Sequence, residues 1–391
     1  MKEVNIQKQS DGLLIELIGR IDSNNAPQVE ESMKEAFDSP DEVVIDAQNL
    51  EYISSAGLRV LLHLRKTKKN LRIINVSSEV YEIFDMTGFN QMMTVEKAYK
   101  VVSVEGCEVI GKGANGILYR IDSDNVVKVY KNADALNDIQ HEREVARLAL
   151  VLGIPTAISY DVVKVGDSYG SVFELLNATS FSKILATEPD KFDWCVNEFA
   201  GLLKKIHETE VPEGKLPSIK ETALKWAEFD KDYLPVESYE KLKSLIEKVP
   251  ESNHMIHGDY HTNNIELQDG EVLLIDMDTL AVGHPIFELA SIYNAFIGFY
   301  EVNKEGCKDF LKISSDEAIK FFNKAMSVYL GTEDEDRIKE VVDKARIVGY
   351  TRIIRRNIRR GALENETGKQ EIELWTKELI ELLDRIDTLE F

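Results

Sequence analysis

The chain is poor in the features that staple a protein or anchor it in a membrane. Its three cysteines, Cys107, Cys195 and Cys307, lie far apart among 391 residues and form no CxxC pair. That odd, scattered set excludes a disulfide framework and suits reduced thiols in a cytoplasm, each a small buried hydrophobe rather than a nucleophile. Long apolar runs are missing as well. None approaches the roughly 20 residues needed to cross a bilayer, and the opening MKEVNIQKQS lacks the apolar stretch of a signal peptide. A cytoplasmic protein without membrane contact is expected. Basic charge is also scarce: 47 Lys and Arg stand against 69 Asp and Glu, a net charge of −22. Nucleic acid, itself a polyanion, is therefore not an expected partner.

What is present is 43% hydrophobic and 30% charged, enough apolar material for ordered cores. A chain of this length is expected to hold two or three domains. Residues 1–100 carry 12 basic and 16 acidic side chains, so most of the negative charge lies beyond them. We place a boundary there, with domains at 1–102 and 103–391.

In the first hundred residues, the β-branched runs VNIQKQ, LLIELIG, EVVIDA and LRIINV are interleaved with helical patterns. SNNAPQVEESMKEAF opens on cap residues and sets Val29, Met33 and Phe37 at helical spacing. AGLRVLLHLRKTKK and SSEVYEIFDMTGF read as two further helices. The alternation predicts an α/β domain with helices covering a sheet. The segment VVIDAQNLEYISSAGLRVLL (43–62) resembles the STAS domain of anti-sigma-factor antagonists, a likeness that extends over roughly residues 3–100. The resemblance implies a regulatory or docking role, hence a protein partner. In that family a regulatory phosphoserine precedes the glycine that opens a helix. Ala56 holds that place here, with Ser54 and Ser55 just before it. These serines suit capping of the helix, whose N-terminus also offers unpaired N–H groups and its dipole to an anion.

The next region, EVIGKGANGILYRIDSDNVVKVYK (108–131), sets Gly111, Gly113 and Gly116 in G-x-G-x-x-G order. A dinucleotide site needs a helix directly after such glycines. ILYRI reads instead as a strand, DSDN as a tight turn, and VVKVY as another strand carrying Lys128. A hairpin lid followed by a strand lysine is the arrangement of protein-kinase-like folds, in which backbone amides and the lysine hold nucleotide phosphates. The helix NDIQHEREVARLALVLG then carries the expected acidic partner of that lysine. Glu144 is our assignment, on its place before the VARL stripe, and Glu142 is the rival. YGSVFELLNATSF follows as a strand and linker, where backbone groups around Glu174 and Leu176 would meet an adenine.

IHGDYHTNNIELQDGEVLLIDMD (256–278) carries the densest chemistry. His254, His257 and His261 raise the possibility of a zinc site, but no cysteine accompanies them and no helical stripe converges them. QDGE is a turn signal between two apolar strands, so a hairpin is expected. A hairpin brings its two ends together, so Asn264 and Asp276 should lie close, with Asp259 in the loop beside them. Two oxygen ligands for Mg²⁺ and one carboxylate for an acceptor hydroxyl are what phosphoryl transfer requires. The wording HGDYHTNNI…LLIDMD resembles aminoglycoside phosphotransferases and choline-kinase-like enzymes. Their continuation G-D-P-x-x-D-L-A stands here as GHPIFELA, with His284 and Glu288 in place of two acids.

The resemblance implies ATP and Mg²⁺ as cofactors, Asp259 as catalytic base, Asn264 and Asp276 as metal ligands, and Lys128 on the phosphates. His257 would fix the loop, and Asp278 would assist a second metal or face solvent. It also implies an α+β bilobal kinase-like fold, with an N-lobe over about 103–177 and a helical C-lobe over about 178–391. No A-P-E motif and no long activation segment follow Asp276, which points to a small-molecule hydroxyl as acceptor rather than a protein. A nucleotide-binding switch with STAS-mediated output, or a kinase acting on a STAS partner, are the other readings. One helix departs from the acidic background: Arg352, Arg355, Arg356, Arg359 and Arg360 fall mainly on one side. They form either a solvated surface stripe or a binding surface for an anionic group.

Overall fold

The computed structural model describes residues 3–9, 12–38, 42–68, 70–113, 116–132 and 135–391. The chain divides into two compact units, residues 1–119 with 129–133 and 161–171, and residues 120–128 with 134–160 and 172–391.

In the first unit, strands β1 (Val4–Gln9), β2 (Gly12–Ile21), β3 (Glu42–Ile53), β4 (Leu71–Val76) and β5 (Thr94–Lys97) form a sheet in sequential order. β1 and β2 are an antiparallel pair, and each later neighbour is parallel. Parallel neighbours require crossovers, and helices supply them. Ser55–Thr67 links β3 to β4, and Ser78–Met86 lies between β4 and β5. Leu13, Ile15 and Leu17 of β2 are buried while their neighbours are not, the period of two expected of a sheet with one face covered. Gly57 sits where the Ser55–Thr67 helix meets the sheet. A Cβ there would lie 2.7 Å from the side chains of Ile21 and Ile53, so the glycine is a packing requirement. Ser54 caps this helix, its hydroxyl accepting from the Ala56 amide at 3.2 Å.

Strands β6 (Lys100–Val101), β7 (Glu108–Lys112), β8 (Gly116–Arg120), β9 (Asn125–Tyr130), β10 (Asp161–Val165) and β11 (Ser168–Glu174) make a second sheet in the order β6-β10-β11-β9-β8-β7. β6 joins β10 in parallel. The turn from β7 to β8 is closed by the Gly113 amide, which donates to the Gly116 carbonyl at 2.9 Å. Residues 114 and 115 of this glycine turn lie outside the described residues.

From Phe181 onward the chain is largely helical, interrupted by two small sheets. One joins β12 (Thr179–Ser180), β14 (Ile265–Gln268) and β15 (Glu271–Leu274), and the other pairs β13 (Met255–Ile256) with β16 (Ala281–Val282). Helix Ile286–Phe296 is the centre of this part, buried at every position. It packs along the long helix Glu335–Arg359, where Asn294 donates to the Gly349 carbonyl at 2.9 Å. At its end Phe296 stacks on Phe321, and Phe199 meets both rings edge-on. No helix among the described residues is long and apolar enough to cross a membrane.

Asp230 ends helix Ile219–Asp230 fully buried, with neither carboxyl oxygen hydrogen-bonded among the described residues. Burial pushes its carboxyl up to about 8, and the charge of Arg355 offsets only part of this. A carboxyl that holds its proton more tightly when folded makes stability fall as pH rises from the unfolded value, about 3.9, toward 8. Asp230→Asn should therefore unfold at higher urea than the parent at pH 9, with the difference shrinking toward pH 5. Equal pH profiles for the two proteins would contradict this.

Candidate active site

The hairpin β14–β15 positions the polar residues. Asp269 and Gly270 both adopt positive φ, 50° and 88°, as a two-residue hairpin turn requires. The ladder pairs Gln268 with Glu271 and Ile265 with Leu274, and the Ile275 amide donates to the Asn264 carbonyl at 2.9 Å. Asn264 and Asp276 therefore meet at the hairpin root. Asn264 donates through Nδ2 to the Asp259 carbonyl at 2.9 Å, which leaves its Oδ1 as an acceptor. Asp276 ends the strand in left-handed backbone, φ 63° and ψ 65°, a conformation that costs a non-glycine residue on the order of 1 kcal/mol or more.

The loop carrying Asp259 is clamped through its backbone. Glu288, fully buried on helix Ile286–Phe296, accepts from the His257 amide at 2.5 Å and from the Gly258 amide at 3.1 Å. The Gly258 carbonyl accepts from Arg352 Nη1 at 2.7 Å and from Ser291 Oγ at 3.0 Å, while Thr279 Oγ1 donates to the His257 carbonyl at 2.7 Å. Gly258 itself has φ 84°, and a Cβ there would stand 2.6 Å from the Thr279 carbonyl. His257 Nδ1 accepts from the Asp259 amide at 3.2 Å, and burial pushes this imidazole down to about 4, so it is neutral scaffolding at pH 7. No group of three or more His, Cys, Asp or Glu side chains converges as a metal cage among the described residues.

Asp259 is open to solvent over 44% of its side chain, with His261 Nε2 at 3.5 Å from Oδ2. Partial burial pushes its carboxyl up, but the His261 hydrogen bond and the charges of His261 and Arg352 outweigh this and hold it at about 2. It is ionised at neutral pH.

Lys128 on β9 bonds Glu142 Oε1 at 2.8 Å and Oε2 at 3.1 Å, and stands 3.8 Å from Asp276 Oδ1. The expected partner, Glu144, is exposed and takes no part. On helix Leu136–Val151 the buried face holds Ile139, Ala146 and Ala149, and Glu142 lies three, four and seven residues from these. Two residues further on, Glu144 is turned to the opposite side. Burial lowers the Lys128 pKa, but Glu142 and Asp276 outweigh it, so the ammonium is held charged. Asp278 is pushed up to about 6, first by burial and then by the charge of Asp276. Burial also raises Asp276, with Glu142 and Asp259 adding to the effect and Lys128 opposing it. These four carboxylates are short of positive charge, and that shortage together with Asn264 Oδ1 and Asp276 fits a hard divalent cation.

Gly111, Gly113 and Gly116 belong to the first unit, in β7, at its turn and at the start of β8. A cavity of about 560 Å³ borders the segment expected to meet an adenine, lined by Phe173, Glu174, Leu176, Gln268 and Leu273 among others. Sequence reading missed Glu288 and Arg352 as parts of the site. The available signal for Glu288 was an acid inside the otherwise apolar IFELASIYNAF. For Arg352, whose partner is a distant carbonyl, there was none.

The profile of the phosphotransferase enzyme family matches residues 106–303, half of the chain. The chain belongs to that family. The profile of the STAS domain matches residues 3–102, so a STAS domain precedes the phosphotransferase part. BtrV of Bordetella bronchiseptica, a candidate anti-sigma factor antagonist, is 37% identical over 91 residues, which are 22% of this chain and 78% of BtrV. Among solved structures, the chain is similar to ADP-bound aminoglycoside phosphotransferase APH(2'')-Ib at TM-score 0.49 and 14% identity, over 78% of this chain and 99% of that one. It is also similar to the streptomycin–ATP complex of APH(2'')-IIa at TM-score 0.48 and 14% identity, over 78% and 98%. The protein is thus a member of the phosphotransferase enzyme family, built as an α/β STAS domain followed by a mixed sheet and a largely helical C-terminal region.

Two outcomes test the local assignments. Glu142→Ala should weaken nucleotide binding by roughly tenfold or more, about 1.4 kcal/mol, whereas Glu144→Ala should leave it unchanged in the same titration. Gly258→Ala should lower unfolding free energy by about 1–3 kcal/mol from backbone strain alone, read by urea denaturation. A variant as stable as the parent would show that the loop can relax.

Proposed function

We propose that this protein is a cytoplasmic, ATP- and Mg²⁺-dependent kinase that moves the γ-phosphate to a hydroxyl of a small molecule, with its STAS domain serving regulation or docking. One observation carries the reading. Asn264 and Asp276 meet at the root of a single hairpin, beside a clamped loop bearing Asp259, and Asp276 stands 3.8 Å from the Lys128 ammonium.

In this reading Lys128, aimed by Glu142, holds the nucleotide phosphates as a compact charge. The amides at Gly111, Gly113 and Gly116 serve the phosphates from their hairpin. Asn264 Oδ1 and the Asp276 carboxylate would hold Mg²⁺, which when bound neutralises charge on the phosphates. Asp259, ionised and fixed by its neighbours' backbone bonds, accepts a hydrogen bond from the acceptor hydroxyl, orients its oxygen toward the phosphorus and takes its proton as the new P–O bond forms and the bond from the γ-phosphorus to the bridging oxygen breaks, releasing ADP. The fixed loop supplies positioning, the main contribution a protein makes to this chemistry. The likeness of the N-terminal region to an anti-sigma factor antagonist supports a protein partner for the STAS domain.

Asp259→Asn keeps the size and the neighbouring bonds but removes the proton acceptor. It should lower acceptor-stimulated ATP consumption about 10²–10⁴-fold while nucleotide affinity stays within a factor of about three, a change worth under 1 kcal/mol. A panel of hydroxylated metabolites supplies the acceptors. The reading fails if the purified protein with Mg²⁺ binds no ATP, or if Asp276→Ala leaves its nucleotide chemistry unaltered.

A further inference from the structure

Helix Glu335–Arg359 treats its cations in two ways. In its first three turns every Lys and Arg is spent in an ion pair. Arg337 and Lys344 bind Glu340, Lys339 and Arg346 bind Asp343, and Arg346 also binds Glu378. Beyond Gly349 the pattern stops. Among the described residues, Arg352, Arg355, Arg356, Arg359 and the following Arg360 form no ion pair, although the charges of Arg352 and Arg355 act on Asp259 and Asp230, in a chain where acids outnumber bases 69 to 47.

The first of these arginines fixes where the others stand. Arg352 donates to the Gly258 carbonyl, the peptide directly before Asp259. One turn further along, on the same side of the helix, Arg356 is half-buried with its guanidinium 4.7 Å above the Phe299 ring. Arg352 and Arg355 are likewise laid over Trp226 and Phe229, at 5.4 and 5.9 Å. An aromatic face holds a guanidinium flat and leaves its N–H edges outward, the geometry that grips a carboxylate or phosphate through two parallel bonds. The donors of Arg356 make no hydrogen bond within the described residues. Burial and the charges of Arg360 and Arg352 lower its pKa, and the charge of Asp259 opposes them. A half-buried cation crowded by like charge, with its donors free and one turn from the anchor of the catalytic loop, lacks an anion.

We infer that the acceptor carries an anionic group, a carboxylate or a phosphate, bound by Arg356 while its hydroxyl lies against Asp259. This rests on the kinase reading and names its substrate class. A polycationic amino sugar would instead meet the uncompensated arginines and be repelled.

The test uses the full chain with Mg²⁺ and ATP. Acceptors are compared in matched sets, such as glycerate, its amide and glycerol phosphate, with kanamycin as the polycation. The expected result is ATP consumption stimulated by the carboxylate or phosphate member over the amide, and none by kanamycin. Arg356→Gln should raise KM for the anionic acceptor at least tenfold, more than for its amide, with a smaller effect on kcat, and Arg356→Lys should recover part of the loss. Stimulation by kanamycin but not by anions, or an unchanged KM in Arg356→Gln, overturns the inference. If no member of the panel is a substrate, the second arm decides. Sulfate added to the ADP-saturated protein should raise the Tm of the parent but not of Arg356→Gln, and equal shifts overturn the anion site. Failure of the parent to bind nucleotide at all would instead refute the kinase reading, which a titration with ADP reports separately.

Discussion

The peptide between His257 and Asp259 is the point on which the site depends. Its amides are taken by a buried carboxylate, Glu288, and its carbonyl by a guanidinium, Arg352, and a hydroxyl, Ser291. Charge-assisted bonds to backbone are stronger than neutral ones and less mobile than side-chain pairs. Glu288 is fully buried there, where a hydrogen bond is electrostatically stronger than in water. The left-handed backbone of Gly258 and the 2.6 Å approach of the Thr279 carbonyl to its missing Cβ allow no side chain at that point. Asp259 is thus positioned through the backbone of its chain neighbours, and its side chain remains 44% open to solvent.

Electrostatics divides the site into two sides of opposite need. Around the hairpin root, Asp276, Asp278, Asp259 and Glu142 crowd one ammonium and one imidazole, and burial raises two of the carboxyls further. That side lacks a cation. On the helix that braces the loop, arginines accumulate without carboxylates, held over aromatic rings. That side lacks an anion. In the proposed reading a Mg²⁺–nucleotide would answer the first shortage and an anionic acceptor the second. The net charge of −22 reports on neither, since it is spread over the surface while the site sorts charge locally.

Much of this was legible in the chain because the chemistry is local there. A turn signal between two apolar strands predicts that Asn264 and Asp276 meet, and the ladder realises it. Alternating strands and helices predicted the α/β layer of the first domain, and the glycine hairpin followed by a strand carrying Lys128 was likewise read from the pattern. The misassignment of Glu144 came from helical phase. Glu142 and Glu144 are both acids in one helix, and only the buried positions Ile139, Ala146 and Ala149 fix which one turns inward. Glu288 was read as a departure from a family pattern, although its carboxylate does the clamping. Arg352 was counted as one member of an arginine stripe, read as either a solvated surface or a binding surface for an anion. Both bind backbone atoms, and a carbonyl or amide has no residue type by which a pattern could reveal it.

The brace from Arg352 to Gly258 spans 94 residues of chain and starts beyond the stretch that the family profile covers, which ends at residue 303. Contacts of such separation come late in folding, because the intervening chain must first give up its freedom. The lysine and its glutamate, 14 residues apart, need no such wait. A nascent chain would therefore join Lys128 to Glu142 well before it could brace the peptide that precedes Asp259. The clamp on that loop would close only once helix Glu335–Arg359 has packed.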